Sequence, residues 1–446
     1  MRIPEAVAGC IDALERAGFA VYLVGGCVRD AYLGLMPHDF DLCTAALPEQ
    51  TEAVFSDHKL VLAGKKHGTV GVVTDSGVIE ITTFRTEGGY TDNRHPQWVK
   101  FMPHIEDDLA RRDFTVNAMA YSPTRGFADP LGGRADLDAK ILRAVGEPGA
   151  RFEEDSLRIL RGVRFAVRYG LMPETRTLDA MFRLAPLMDN LARERVFEEL
   201  CKILLLVNAD DLLRFQPVLT QVTPELAPTV GFDQHSRHHI YDIYEHTAHV
   251  VAAVPPILSL RWAALLRDVG KPATFSIDEA GEGHFYGHAE ESAAIADAVL
   301  RRLKAPTQLR EDVVLLIRQH MAIMEPDKRI LRRRLSRLGS EKLELLLALQ
   351  EADTIGTGTR KPCEIEIFSK IRAVLEEIEA ENACLSLKDL AINGHDLMAL
   401  GITGREIGKI LNSLLEQVID EKIPNKKDAL LKAAKSILKQ TQEENP

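Results

Sequence analysis

The chain has 446 residues, more than one ordinary hydrophobic core accommodates, so two to four domains are expected. Its 46% hydrophobic and 27% charged content are ordinary for a soluble protein, and a net charge of −11 does not advertise nucleic-acid binding. The six cysteines (Cys10, Cys27, Cys43, Cys201, Cys363, Cys384) form no C-x-x-C and no regular framework, which points to reduced thiols in a cytoplasmic protein. No signal-peptide-like apolar run opens the chain, and the most apolar long stretch, 250–266, carries Pro255-Pro256 and Arg261, so no membrane association is expected.

In chain order, residues 20–24, 39–43, 69–74 and 78–84 read as short strands separated by Gly, Asp and Ser. From about residue 150 the period changes. Apolar residues recur at three-to-four spacing over 152–169, 177–187 and 195–206, which predicts helices, and no strand is expected beyond about 145. Residues 231–239 read as a loop, 240–345 as a second helical unit, and the last hundred as helices punctuated by Asn393-Gly394, Gly401, Gly404 and Gly408. Between 301 and 337, eleven Lys/Arg face four Asp/Glu, with Arg332-Arg333-Arg334 among them. That run is either a solvated helix face or a phosphate-backbone footprint, and the sequence leaves both open. The fold class is thus an α/β head followed by all-α neck, body and tail.

The chemistry concentrates in the head. Gly25-Gly26 follows the first apolar strand and precedes a helix start, where glycines let backbone N–H groups approach phosphate oxygens. Arg29, one turn on, suits the same phosphates. Asp39 and Asp41 are i and i+2 on a predicted strand, hence on one face, and make a hard anionic site suited to Mg2+. Together these imply metal-assisted transfer from a nucleoside triphosphate. Any one alone is ordinary: two solvated acids, or a turn.

The whole run, G-G-x-V-R-D-x-x-x-G-x-x-x-x-D-x-D-x-x-T, resembles the signature of the class II tRNA nucleotidyltransferases and bacterial poly(A) polymerases, within the polymerase-β-like nucleotidyltransferase superfamily. The resemblance implies a third carboxylate from a neighbouring strand, for which Glu80 is the best-placed candidate; as an isolated residue Glu80 is an exposed strand acid. The run Arg111-Arg112-Asp113-Phe114-Thr115-Val116-Asn117-Ala118 matches the family's R-R-D-F-T-x-N-A, which implies that Arg111, Arg112 and Asn117 contact triphosphate and ribose. Residues 90–96 resemble the flexible loop that the family needs for adding A, and Asp129-Pro-Leu-Gly-Gly133 resembles its hinge between head and neck.

Glu154-Asp155-Ser156-Leu157-Arg158, with Arg161 and Arg164, resembles the element with which the family reads the incoming base without a template. Asp155 and Arg158, at i and i+3 of the predicted helix, share a face, and the bland reading is a salt bridge. A carboxylate accepting from an exocyclic amino group, beside a guanidinium donating to a ring nitrogen, fits cytosine and adenine alike. Uracil and guanine present the reverse pattern and would leave buried polar groups unpaired. Glu194, Arg195, Glu199 and Lys202 match a further family motif and read as braces of the neck.

Beyond the neck, His246, Asp268, His288 and His320 resemble the ligand set of an HD-type metal domain, but Arg267 stands where that family has the first letter of its His-Asp pair. A cation there argues against hydrolase activity and for a helical scaffold that holds RNA. The tail, with a Lys-rich end from Lys426 to Lys439, resembles the family's tRNA-gripping tail. The expected division is a head at 1–140, neck at 141–206, HD-like body at 207–345 and tail at 346–446. The resemblance implies template-independent addition of C, C and A to tRNA from CTP and ATP, with Mg2+ and no obligate protein partner. A-only, CC-only or poly(A) synthesis on the same scaffold is the nearest rival, and an HD-type phosphohydrolase the rival from another class.

Overall fold

A computed structural model describes residues 2–37, 39–89, 98–236, 240–359 and 362–443. The chain divides into two compact units, Met1–Ala227 with Arg302–Ala305, and Pro228–Arg301 with Pro306–Pro446.

The first unit is built on a seven-stranded sheet, ordered β3-β4-β5-β2-β1-β8-β9. Its strands are β1 (Val21–Val24), β2 (Asp41–Thr44), β3 (Leu60–Val61), β4 (Thr69–Thr74), β5 (Gly77–Thr83), β8 (Ala120–Ser122) and β9 (Gly126–Ala128). Between β5 and β8 lies the separate hairpin β6 (Arg85–Gly88) and β7 (Trp98–Phe101). β2 and β5 run parallel; the remaining pairs are antiparallel. Alternation decides the faces: along β5, Ile79, Ile81 and Thr83 are buried while Val78 and Glu80 are exposed. Helix α1 (Glu5–Arg16) places Val7, Cys10, Ile11 and Leu14, all buried, at i, i+3, i+4 and i+7 of one stripe. The four predicted strands are present, except that β2 opens at Asp41, leaving Asp39 in the segment just before it.

Four short helices complete the head: α2 (Gly26–Tyr32), α3 (Pro48–Val54), α4 (Ile105–Ala110) and α5 (Gly133–Asp138). Asp129 caps α5, accepting from the N–H groups of Gly133 (2.6 Å) and Arg134 (3.1 Å). The expected single helix over 152–169 is two, α6 (Pro148–Glu154) and α7 (Leu157–Tyr169), because Asp155 is extended (φ −142°, ψ 101°). Helices α8 (Thr175–Leu184), α9 (Arg193–Leu204), α10 (Ala209–Arg214) and α11 (Gln216–Val222) follow. α7 is pinned to the head by Phe165, whose ring meets Phe114 edge-on at 6.0 Å.

Strands beyond residue 145 do occur, contrary to the periodicity. Two residues, β11 (Met172–Pro173), pair with β10 (Ile141–Leu142), and the second unit carries a hairpin, β12 (Phe275–Ile277) and β13 (Gly283–Phe285). They are too short for a period-2 signal to register. Otherwise the second unit is helical: α12 (Ile243–Ala253), α13 (Leu258–Leu266), α14 (His288–Arg302), α15 (Thr307–Gln319), α16 (Lys328–Leu338), α17 (Ser340–Gly356), α18 (Pro362–Ala380), α19 (Gly394–Met398), α20 (Arg405–Ile419) and α21 (Lys427–Glu443). The last three share a small core of their own around Leu397, Leu414 and Leu430. The basic helix α16 is largely spent on internal pairs: Arg333 meets Asp420 (2.7 Å), Arg332 meets Glu381 (2.6 Å) and Lys328 meets Glu377 (2.8 Å). Among the described residues no helix is long and apolar enough to cross a membrane.

Candidate active site

Two elements deliver the glycines and the carboxylates to one edge of the sheet. In the β1–β2 pair Val24 lies opposite Asp41, so Gly25-Gly26 emerges beside that carboxylate. Gly25 has φ +70°, and a Cβ there would stand 2.8 Å from the Arg112 guanidinium. Glycine is required twice over, by its left-handed backbone and by the close approach of the arginine. On the other flank β5 runs parallel to β2 with Leu42 opposite Ile81, bringing Glu80 alongside Asp41. Asp39, Asp41 and Glu80 are exposed and line a common cavity. Asp41 opens to solvent, yet enough protein surrounds it for lost hydration to raise its pKa; Glu80 and Asp39 raise it further and Arg112 opposes them. This is a set of hard oxygen donors short of positive charge, which fits a divalent cation. Among the described residues, these three do not bring their ligand atoms within 4.8 Å of one another. Mg2+ needs only one or two such carboxylates, with waters and phosphates completing its shell.

Beside Asp41 opens a cavity of about 450 Å3. Its lining includes Gly25, Gly26, Arg29, Arg111, Arg112 and Asn117 from the head, and Asp155, Arg158, Arg161, Arg164 and Arg195 from the neck. Seven arginines thus face three acids, Asp41, Asp113 and Asp155, an excess suited to a polyanion. Every nucleotide-binding residue expected from the sequence lies on this one cavity.

Buried acids hold the arginines, and these the sequence reading did not single out. Asp108, fully buried within α4, spans both guanidiniums: Oδ1 accepts from Arg111 (2.7 Å) and Oδ2 from Arg112 (3.0 Å). Burial alone would raise the pKa of Asp108, but the two arginines outweigh it and hold the carboxyl below the usual range. Asp113 accepts from Arg161 (2.7 Å) and from the Asn117 amide (3.0 Å). Burial is again outweighed, by Arg161 first, and the Asp113 pKa falls to about 2. Arg29 donates to the Asn117 carbonyl, to Asp30 (2.7 Å) and to the Tyr169 hydroxyl (2.5 Å), with its guanidinium 4.3 Å from the Tyr169 ring centroid. Asn117, expected to touch ribose, has both ends of its amide engaged by Arg29 and Asp113.

The neck corrects one expectation. Asp155 lies in the break between two helices, so it does not share a helical face with Arg158. Arg158 pairs with Glu154 (2.6 Å), while Asp155 pairs with Arg195 (3.2 Å). Both still reach the cavity. Arg164 pairs with Glu199 (2.6 Å), which also accepts from Lys202 (3.4 Å), and Glu194 pairs with Lys304 (3.5 Å), so the residues expected as neck braces, Glu194, Arg195, Glu199 and Lys202, each make an ion pair.

In the second unit the HD-like residues converge on a protein cation. Arg267, fully buried, pairs with Asp353 (2.7 Å) and Asp268 (3.1 Å) and lies 2.6 Å from His246 Nε2; Lys271 stands 3.2 Å from Asp268. Asp353 was not expected from the sequence. Its distance in the chain hid it. The ligand atoms of His246, Asp268 and Asp353 lie within 4.8 Å of one another, as do those of Asp268, His288 and His320, but the first group surrounds a guanidinium.

Comparison with known proteins agrees with this geometry. Residues 21–143 match the family model of the poly A polymerase head domain, 170–229 that of an RNA and SrmB-binding site of polymerase A, and 286–434 that of tRNA nucleotidyltransferase domain 2. Sheet, carboxylates and arginine-lined cavity therefore define a nucleotidyltransferase head of the polymerase-β-like type. A CCA-adding enzyme of Streptococcus mutans is 31% identical over 94% of this chain and 94% of its own. One from Streptococcus suis is 45% identical over 195 residues, so in that match the chain spans about half the relative's length (48%) and 44% of its own. The crystal structure of a Bacillus stearothermophilus CCA-adding enzyme in complex with CTP matches with a TM-score of 0.72 at 27% identity, covering 100% of both chains. The chain belongs to the CCA-adding enzyme family.

Proposed function

We propose that the chain adds C, C and A in turn to the 3′ end of tRNA from CTP and ATP, releasing pyrophosphate. The observation that carries this is the single cavity in which phosphate-binding arginines, a carboxylate edge and the Asp155–Arg158 element meet. Gly25, Gly26, Arg29, Arg111 and Arg112 would hold the triphosphate, with Asn117 orienting Arg29. Asp39 and Asp41 would hold Mg2+, which neutralises phosphate charge and acidifies the attacking hydroxyl when bound. The 3′-oxygen forms a bond to the α-phosphorus in line with the bond that breaks, and the electron pair of that bond leaves with pyrophosphate. The hydroxyl proton would pass to Glu80, which lines the carboxylate edge, or to water.

Base selection falls to the neck. Asp155 accepts one N–H from Leu157 and one from Arg195, leaving lone pairs for an amino group. Arg158 spends three of its five donors on Arg151, Glu154 and Arg111, which leaves two for a ring nitrogen. Arg161 and Arg164 complete the cationic wall. We assign catalysis to residues 1–140, base reading to 141–206, and tRNA binding to the tail at 346–446, with 207–345 as scaffold, in a cytoplasmic protein. The Arg267 cluster supports scaffold over phosphohydrolase.

The test uses purified chain, Mg2+ and tRNA acceptors ending before CCA, after C and after CC, with labelled CTP, ATP or both. Two C then one A, with stopping, is expected. A added only to the CC-ended acceptor, C additions without A, or a long A ladder would replace this specificity with A-adding, CC-adding or poly(A) synthesis; no extension would remove the nucleotidyltransferase reading.

A further inference from the structure

Arg29 is the most enclosed of the seven cavity arginines, only 5% exposed, and its donors can be counted. Of its five N–H groups, Nε and one on Nη2 go to Asp30 Oδ1 (2.9 and 2.7 Å). The other on Nη2 goes to the Tyr169 hydroxyl (2.5 Å), and one on Nη1 to the Asn117 carbonyl. One N–H, on Nη1, is left for the cavity that Arg29 lines. A guanidinium that offers a phosphate a single donor depends on direction, so what aims it matters.

Two of its supports, Asp30 and Asn117, belong to the head. The third comes from the neck, 140 positions away. Tyr169 is the last residue of α7; it is buried, and it touches Arg29 without lining the cavity. Its hydroxyl accepts from Arg29 and donates to Asp30 Oδ1 (2.9 Å), which closes a ring of three side chains. Burial raises the pKa of that hydroxyl, so it remains a donor at neutral pH. The Tyr169 ring centroid lies 4.3 Å from the guanidinium carbon, and that of Phe165, one turn back on α7, lies 5.3 Å from it. The neck thus supplies an aromatic backing and a hydrogen bond to an arginine whose free N–H faces the cavity.

We propose that Tyr169 is a positioning residue for nucleotidyl transfer: its hydroxyl fixes the direction in which Arg29 presents its free N–H to the phosphates that leave as pyrophosphate. This rests on the transfer proposed above. Charge builds on the leaving pyrophosphate as its bond to the α-phosphorus breaks, so a misaimed Arg29 costs more in the transition state than in the bound nucleotide. The effect is blind to the base, because Tyr169 acts through a phosphate contact. It differs in this from Arg158 at the other end of α7.

The test is Tyr169→Phe, which keeps the ring and removes only the hydroxyl. Initial rates are measured for CTP on a tRNA acceptor ending after the first C, and for ATP on one ending after CC. Expected is a fall in kcat of about tenfold in both, the worth of one hydrogen bond to a charged group, with nucleotide KM changed by less than about threefold. The ratio of kcat/KM for CTP over UTP should hold. An unmoved kcat, a loss confined to KM, or a relaxed CTP-to-UTP ratio, which would mean that Tyr169 merely seats α7, overturns the assignment. The second measurement repeats the substitution in Arg29→Lys, which keeps a charge beside Asp30 but has no planar fork to aim. There Tyr169→Phe should cost less than about twofold in kcat; a loss of about tenfold in both backgrounds shows that the tyrosine acts independently of Arg29 and overturns the assignment. No extension by the unaltered chain removes transfer and the positioning role together; normal extension with kcat unmoved in Tyr169→Phe removes the role alone.

Discussion

Asp113 shows how a single buried acid sets both geometry and pH response. Its folded pKa, about 2, lies below the model-peptide value of 3.8, so it stabilises the fold above about pH 4 and loses that contribution as pH falls toward 2. The shift corresponds to about 2 kcal/mol. Asp113→Asn should lower stability at pH 7 by that order and flatten the acid limb between pH 4 and 2, read by urea unfolding at several pH values. Asp41 moves the other way: its raised pKa means it takes up a proton at higher pH than an ordinary aspartate. On the proposed assignment, in which ionised Asp41 would hold Mg2+, nucleotide addition should fall early on the acid side. Asp39→Ala and Asp41→Ala should each lower the rate by about 10³-fold or more, while CTP binding to the arginine cavity, measured by titration, persists. Retained addition in either variant would refute the metal assignment. These two carboxylates were legible because i, i+2 spacing is local. Asp113 stood in the matched run 111–118 and Asp108 three residues before it, yet their partnerships were not legible, since each depends on where a guanidinium arrives in space.

At the scale of elements, the neck departs most from its periodicity. The apolar stripe over 152–169 is continuous, but Asp155 interrupts the helix and turns its carboxylate to Arg195 on α9. The second segment, α7, carries Arg158 at one end and Tyr169 at the other, so the arginine proposed to read the base and the support of Arg29 share one rod. Gly162 lets that rod touch the head: a Cβ would meet Phe114 Cζ at 2.8 Å. Gly162→Ala should therefore cost about 1–3 kcal/mol in spite of the helix propensity gained. The accompanying shift should relax discrimination of CTP and ATP against UTP and GTP, measured as kcat/KM ratios. Tight discrimination with unchanged stability would show that α7 tolerates displacement. The basic run at 301–337 teaches the converse. Arg332 and Arg333 looked available in sequence, but their acids, Glu381 and Asp420, arrive from α18 onward, about fifty and ninety positions later.

For the whole molecule, the second unit has exchanged a metal centre's logic for a protein cation. Arg267 neutralises the buried Asp268 and the half-buried Asp353, and the pKa values of both acids are held low: lost hydration alone would raise them, and Arg267 is the largest opposing influence. Arg267→Leu would leave the buried Asp268 with Lys271 as its remaining close cation and take the guanidinium from the half-buried Asp353, at a cost of about 3 kcal/mol to the second unit. A loss under 1 kcal/mol in thermal or urea unfolding would show that water or another cation reaches them. What the sequence by itself determined is what short range decides: strand and helix periods, the glycine turn, the carboxylate pair, and the family-specific runs that name the chemistry. The tertiary structure alone decided which acid holds which arginine, where the neck helix breaks, that Asp353 joins a cluster 86 positions from Arg267, and that Asp41 stands between a cationic cavity and an acidic one. Ion-pair partners and cavities are relations between residues distant along the chain, and periodicity carries no record of them.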